Sequence, residues 1–370
     1  MMDILLVGVG GYGEYCMQML TGWVLNEKNK LVGVVDPFAE KSSWYGYLKE
    51  NNIPVYSALS DFYNEHSADL ALIVTPINLH REQTEYCLSK GSHVLCEKPV
   101  SGSLEEALSM KAAADKYQRK LGIGFQWSFS DAMNALKKDI KDGVYGKPLF
   151  FKTYISWQRD KSYYGASPWK GRKKNQKGDP INDCIITNAT AHYLHNMFFI
   201  TDSKTIDYRV ICKKAYDIET FDTCALWGRT DKDFEYLFLV SHVGERNSNP
   251  ILEYKFENGT VYFENNTADR LYAVLNDGTM IEYGEVQSNA PSSKKILYMI
   301  EAVEGKQDVR CTVDTVTPHL TLCLDIIENK PVTPFKSTYE EDNFIRVKGL
   351  CDLFEKAYRE QRFPEELESY

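Results

Sequence analysis

A six-residue stretch near the start of the chain, Gly8-Val9-Gly10-Gly11-Tyr12-Gly13, constrains the fold more than any other feature. It follows an apolar run, Ile4–Val7, and precedes a stretch of helical character. Glycines spaced G-x-G-x-x-G between a strand and a helix have separate physical jobs. The first permits a tight turn. The second lets the backbone approach a pyrophosphate at the helix N-terminus, and the third lets helix and strand pack closely. The next apolar run, Leu31–Val35, ends in Asp36, about 20 residues beyond the motif, where a carboxylate accepts hydrogen bonds from the adenosine ribose and repels a 2′-phosphate. The pattern predicts a site for NAD, with NADP disfavoured. Its cofactor-binding candidates are Gly8, Gly10, Gly11, Tyr12, Gly13 and Asp36.

The same rhythm continues to about residue 122. Short apolar runs at Leu70–Val74, His93–Leu95 and Leu121–Gly124 alternate with helical stretches such as Ser103–Arg119. Each run is short enough for a strand buried on both faces. Ser103 with Glu106 fits a capping box at the start of its helix. Alternation of strand and helix implies a doubly wound parallel sheet. After about residue 125 the rhythm changes. Helices are expected at Ala132–Lys141, Asn188–Phe199, Thr317–Glu328 and Glu340–Gln361. From Thr205 to Tyr283 strand follows strand, with hairpin signals at Glu257-Asn258-Gly259 and Asn276-Asp277-Gly278. The expected architecture is α/β: a Rossmann domain over 1–122, then an α+β domain over 123–370 with a large, mostly antiparallel sheet, whose last helices can pack back on the Rossmann domain.

Composition narrows the class. Asp plus Glu number 52 against 43 Lys plus Arg, a net charge of −9. Such a surface repels phosphate backbones, so nucleic acid is not an expected partner. No run approaches the ~20 apolar residues of a membrane span. The apolar N-terminus lacks a basic leader segment and reads as a buried first strand, not a signal peptide. Nine cysteines, odd in number and without a Cys-x-x-Cys pair, read as reduced, buried thiols of a cytoplasmic protein.

Two further motifs fall at strand ends, where ligands of parallel sheets bind: Thr75-Pro76 with His80, and Glu97-Lys98-Pro99. Together with Gly8–Gly13 and Asp36, in this order, they resemble the glucose–fructose oxidoreductase / inositol dehydrogenase / MocA family. Gly146-Lys147-Pro148 and Asn188-Ala-Thr-Ala-His192 resemble later features of that family. The resemblance implies NAD(P)-linked redox chemistry on the CH–OH groups of sugars, polyols and their derivatives. It implies an open C-terminal sheet whose face often joins subunits, hence a homodimer or homotetramer. It adds Thr75, Pro76, His80 and Glu97 to the cofactor-binding candidates. In catalysis it implies that Lys98 polarises the carbinol oxygen, His192 takes its proton, and Asn188 orients the substrate.

The sequence departs from that family where Asn188 replaces the usual Asp and Asp183-Cys184 replace a common Gly-Gly. An Asn cannot serve as a base. Gln126 stands where the family often has Arg or Asn and is a substrate candidate. His192 and His195, three apart, have no third ligand at familiar spacing, so no metal is expected. Lys170-Gly-Arg-Lys-Lys-Asn-Gln-Lys177 is the basic run of an acidic chain. Its ordinary reading is a solvated loop; its sharper one is a loop that holds an anionic group of the substrate. Trp157 and Lys170 are the contacts this region offers. Two alternatives to a dehydrogenase are an NAD-assisted lyase or glycosidase that restores its cofactor, and a non-catalytic NAD sensor.

Overall fold

The apolar runs of the first third become parallel strands of one sheet. The computed structural model describes residues 2–265, 269–286 and 291–370. In it the strands are β1 (Met2–Val7), β2 (Asn29–Val35), β3 (Val55–Tyr56), β4 (Leu70–Ile73), β5 (His93–Cys96) and β6 (Leu121–Ile123). Their order is β3-β2-β1-β4-β5-β6, and all pairs are parallel. Only β3 escapes the hydrophobic pattern, because it has two residues, both half-buried. The connecting helices are α1 (Tyr12–Met19), α2 (Tyr45–Glu50), α3 (Leu59–Glu65), α4 (His80–Ser89) and α5 (Leu104–Tyr117). At the start of α5 the Ser103 hydroxyl accepts from the Glu106 amide at 3.2 Å, as the capping pattern predicts. The chain switches direction between β1 and β4, so Gly8 and Thr75 share the crevice at the carboxyl ends of adjacent strands.

This unit comprises Met1–Ser130 and Asn289–Val316. The sequence draws its boundary at residue 122 and assigns no element to the later stretch. The structure shows why that stretch returns here. The helix Pro291–Val303 brings Met299 against Gly122, where a Cβ would stand 3.0 Å from the sulfur. It also carries Lys295 to a buried carboxylate, described below.

The second unit comprises Asp131–Ser288 and Thr317–Tyr370. Its strands are β7 (Pro148–Ser156), β8 (Thr205–Lys214), β9 (Thr223–Thr230), β10 (Glu235–Ser241), β11 (Ser248–Phe256), β12 (Gly259–Asn265), β13 (Asp269–Leu275), β14 (Met280–Glu285) and β15 (Val332–Pro334). They form one sheet in the order β14-β13-β12-β11-β7-β10-β9-β8-β15. Only β7 with β10 and β8 with β15 are parallel. Both expected hairpin turns join strands, at 257–258 and at 276–279. Successive residues of β7 point to opposite faces. Phe150 and Tyr154 lie with Leu237 and Leu239 in a core that includes Leu350, Leu353 and Phe354 of the helix Leu350–Glu360. Phe151 instead stacks on Tyr254 with ring centroids 4.3 Å apart.

The helices of this unit correct several expected boundaries. α6 (Asp131–Lys141) agrees closely with expectation. α7 (Lys161–Gly165) is a single short turn, and α8 (Ala191–Thr201) begins three residues later than expected, so Asn188 lies in the turn before it. The helix expected from Thr317 begins at Val313. The one expected from Glu340 begins only at Leu350, because Tyr339–Glu341 pairs with Phe344–Arg346 around Asp342 and Asn343, both at positive φ. Among the described residues no helix is long and apolar enough to cross a membrane. All nine cysteines are buried free thiols.

The glycines of the first turn separate into two kinds. A Cβ on Gly13 would stand 2.4 Å from the Gly8 carbonyl oxygen, and one on Gly8 would stand 2.9 Å from the Val74 oxygen. A Cβ on Gly10 would meet nothing within 4 Å. Gly13→Ala is therefore expected to cost about 1–3 kcal/mol by forcing backbone apart, whereas Gly10→Ala should leave stability nearly unchanged. Thermal denaturation of the two variants checks this.

Candidate functional site

In the first unit the candidates collect at the carboxyl ends of β1, β2, β4 and β5. α1 opens at Gly11 (φ +56) with no side-chain cap, and Gly10, Gly11 and Tyr12 are exposed. The partial positive charge of a helix start is thus turned to an open surface. Asp36 accepts from the Val9 amide through Oδ2 and from the Phe38 amide through Oδ1, each at 2.8 Å. Each carboxylate oxygen carries two lone pairs, so the group is held in place with acceptor capacity to spare. These residues fit a dinucleotide: a cradle without Cβ atoms, a bare helix start, and an anchored carboxylate.

His80 begins α4 and is buried. Its Nε2 lies 2.8 Å from the Thr75 carbonyl oxygen and its Nδ1 lies 2.9 Å from that of Pro99. One imidazole thereby ties the Thr75-Pro76 turn to the Glu97-Lys98-Pro99 turn. Burial holds its pKa below the ordinary histidine value, against the pull of the carbonyls. The Thr75 hydroxyl donates to Gln83 Oε1 at 2.5 Å. Thr75 and Lys98 are half-buried, Pro76 is exposed, and Gln126 is half-buried in the turn that follows β6.

Glu97 has a partner that no motif foretells. Lys295 is 1% exposed and its ammonium donates to Glu97 Oε1. It also reaches the Tyr12 hydroxyl at 3.3 Å. Burial alone would depress the lysine's pKa, but the Glu97 carboxylate and Tyr12 carry it above the ordinary value. Gly124 makes room for this pair, since a Cβ there would stand 2.9 Å from the carboxylate. Lys295 sits in a helix with another lysine beside it and no recognisable spacing, so only the fold reveals it. Removing one partner of a buried pair leaves the other charge uncompensated, at a cost of about 3–5 kcal/mol. Glu97→Gln and Lys295→Met should each lower urea stability by that order, and Glu97→Leu with Lys295→Met should recover most of it.

In the second unit the candidates centre on the start of α8. His192 is half-buried there, and His195, one turn on, is fully buried beside Phe199 and His319. Burial holds the pKa of His195 well below the ordinary value. Among the described residues no group of three or more metal-ligating side chains is found. The two departures at 183 and 188 meet in space. Asn188 Nδ2 donates to Asp183 Oδ1 at 2.9 Å, and the Gly171 amide donates to Asp183 Oδ2 at 2.7 Å. With Asp183 buried here, an Asp at 188 would face a second carboxylate across hydrogen-bond distance. Asn supplies the donor that the site needs.

The basic run is not uniformly solvated. Arg172 pairs with Glu219 at 3.6 Å, and Lys173 donates to the Ile327 carbonyl at 2.8 Å. Lys174 and Lys177 are exposed, whereas Lys170 is half-buried with its ammonium 3.8 Å from the centre of the Tyr163 ring. Trp157 packs edge-on against Tyr193 of α8, centroids 5.6 Å apart. Nearby, buried Asp222 accepts from the Ala215 amide (2.7 Å), the Tyr216 amide (3.1 Å) and the Thr223 hydroxyl (3.0 Å), yet burial pushes its carboxyl up to about 6. The folded chain then holds this proton at a pH where the unfolded chain has released it. Stability should fall as pH rises from about 4 to about 6, by about 3 kcal/mol from this group. Denaturation curves across that range should be flatter for Asp222→Asn.

Residues 2–125 match the oxidoreductase family with an NAD-binding Rossmann fold. Over these residues the chain is thus similar to the glucose–fructose oxidoreductase / inositol dehydrogenase / MocA oxidoreductases, as its motifs suggest. Over 209 residues the chain is 30% identical to the rhizopine catabolism protein MocA of Rhizobium meliloti, covering 56% of this chain and 60% of that one. Over 183 residues it is 27% identical to 1,5-anhydro-D-fructose reductase of Ensifer adhaerens, covering 49% and 54%. These matches span about half the length of the curated relatives. The fold as a whole is shared with the WlbA dehydrogenase of Bordetella pertussis, solved with NADH and UDP-GlcNAcA (TM-score 0.70, 19% identity, 87% of this chain and 94% of that one).

Proposed function

We propose that this chain is an NAD-dependent oxidoreductase that transfers a hydride between the nicotinamide and a hydroxyl carbon of a sugar, polyol or sugar derivative. The observation that carries this reading is the cradle of Gly8, Gly10, Gly11 and Gly13 before an uncapped helix, with Asp36 anchored at the next strand end. Gly10, Gly11 and Tyr12 hold the pyrophosphate and Asp36 holds the ribose, which favours NAD over NADP. Thr75, Pro76, His80 and Glu97 shape the remaining cofactor surface. When bound, NAD supplies the hydride acceptor. Lys98 donates a hydrogen bond to the carbinol oxygen and stabilises developing negative charge on it. His192 takes the hydroxyl proton. Asn188, fixed by Asp183, orients a substrate hydroxyl, and Trp157, Lys170 and Gln126 contact the substrate.

The first unit is the nucleotide-binding domain, and the second holds the substrate and joins subunits. The helix Leu350–Glu360 already covers the sheet face around Phe150, Tyr154 and Leu239. Self-association therefore falls to the outward face of β11–β14, which presents Ile251, the stacked Tyr262–Tyr272 pair and Met280. A cytoplasmic setting suits nine buried free thiols.

A relative named 2,7-anhydro-N-acetylneuraminate hydratase, of Escherichia coli, is 25% identical over 190 residues, covering 51% of this chain and 48% of that one. Hydration consumes no net hydride, so a second reading has the cofactor restored in each turnover. One experiment tests both. NADH fluorescence titration should show binding, weakened by Asp36→Ala. Turnover with a panel of sugars and polyols should fall roughly 100- to 1,000-fold in Lys98→Ala with NADH affinity retained. Net NADH formation supports the dehydrogenase, and product without net NADH supports the second reading. Absence of NADH binding defeats both.

A further inference from the structure

We propose that the substrate carries an anionic group, a carboxylate or a phosphate, and that Arg159 and Lys170 bind it. This rests on the oxidoreductase reading above and names its substrate class.

The two cations converge on one aromatic ring. Lys170 Nζ lies 3.8 Å from the centre of the Tyr163 ring, and Arg159 Cζ lies 4.9 Å from the same centre. Arg159 also lies 5.8 Å from the Trp157 ring. Both cations are half-buried, so neither is dispersed in water as a surface lysine is. Like charges gathered at one place repel, and partial burial adds a desolvation cost. A chain ordinarily offsets that cost with a carboxylate. Arg172 in the same loop has Glu219. Among the described residues neither Arg159 nor Lys170 forms an ion pair. Asp183 is the acidic group that acts on Lys170, but it forms no ion pair with it, and its oxygens accept from Asn188 and from the Gly171 amide.

A second observation points the same way. The Nε of Arg159 is buried and has no hydrogen-bond partner. Guanidinium N–H groups in a fixed fork match the oxygens of a carboxylate or phosphate. On its far side the cluster meets His242, whose Nδ1 is 2.7 Å from the Tyr164 hydroxyl and whose Nε2 is buried without a partner. Burial, Arg159 and Lys170 all hold His242 neutral, so it adds no third charge.

The cluster is also tied to the proposed chemistry of this unit. Trp157, two residues before Arg159, packs on Tyr193, the neighbour of His192. Lys170 precedes Gly171, which donates to Asp183, which in turn holds Asn188. An anion held here is anchored by the same backbone that positions Asn188 and α8.

The test uses the full chain with saturating NADH and matched ligand pairs: D-glucuronate against D-glucose, D-galacturonate against D-galactose, and glucose 6-phosphate against glucose. Acetate and inorganic phosphate alone, with and without NADH, separate the two sources of negative charge. Thermal shift gives the affinities. The expected result is a charged member bound at least tenfold more tightly than its neutral counterpart. Arg159→Gln and Lys170→Gln should each cut that preference about tenfold while NADH affinity stays unchanged. Equal binding of charged and neutral members, no binding of any charged probe, or a preference that survives both substitutions overturns the proposal. Failure to bind NADH with retained anion binding defeats the cofactor reading alone.

Discussion

The contact between Lys295 and Glu97 governs how the first unit is assembled. A buried ammonium is tolerable only beside a well-placed carboxylate, and here the two come from segments 198 residues apart in the chain. Glu97 adjoins Lys98, the residue proposed to act on the substrate oxygen. Tyr12, in the nucleotide turn, touches the same ammonium. The cofactor cradle, the Glu-Lys-Pro turn and a helix from the last third of the chain therefore share one electrostatic centre. His80 extends that centre by joining the backbone of both strand-end turns.

The second unit solves a related problem with the opposite sign. Asp183 is buried, and it is satisfied by a backbone amide and a side-chain amide. Replacement of a carboxylate by Asn188 looks like a loss when the sequence is read alone. Beside Asp183 it is the neutral donor that lets a buried negative charge persist. The two positions that depart from the pattern the resemblance implies are joined by one hydrogen bond.

Much of this was legible in the sequence, and the reasons are local. The parallel strands announce themselves because they are buried on both faces, as at Leu70–Ile73. The glycine turn, Asp36 and the Ser103 cap follow from short-range geometry. The hairpins at Asn258-Gly259 and Asp277-Gly278 follow from short turn signals, and Gly278 does take positive φ. What escaped depends on distant partners. β3 is too short to carry a pattern. The hairpin of Tyr339–Glu341 with Phe344–Arg346 hides in residues that also suit a helix. Lys295, Asp183 and Arg159 acquire meaning only from neighbours that the chain brings to them from elsewhere.

Gly171 gives the basic loop its rigidity. Its φ is +68°, and a Cβ there would stand 2.4 Å from Ile218. Its amide is held by Asp183, and its carbonyl accepts from the amides of Glu219 (2.9 Å) and Thr220 (3.2 Å). The backbone leaving Lys170 is therefore fixed when the chain folds, not when a ligand arrives. A ligand meeting that ammonium has only side-chain freedom left to arrest, so most of the ordering entropy of the encounter has been spent in advance.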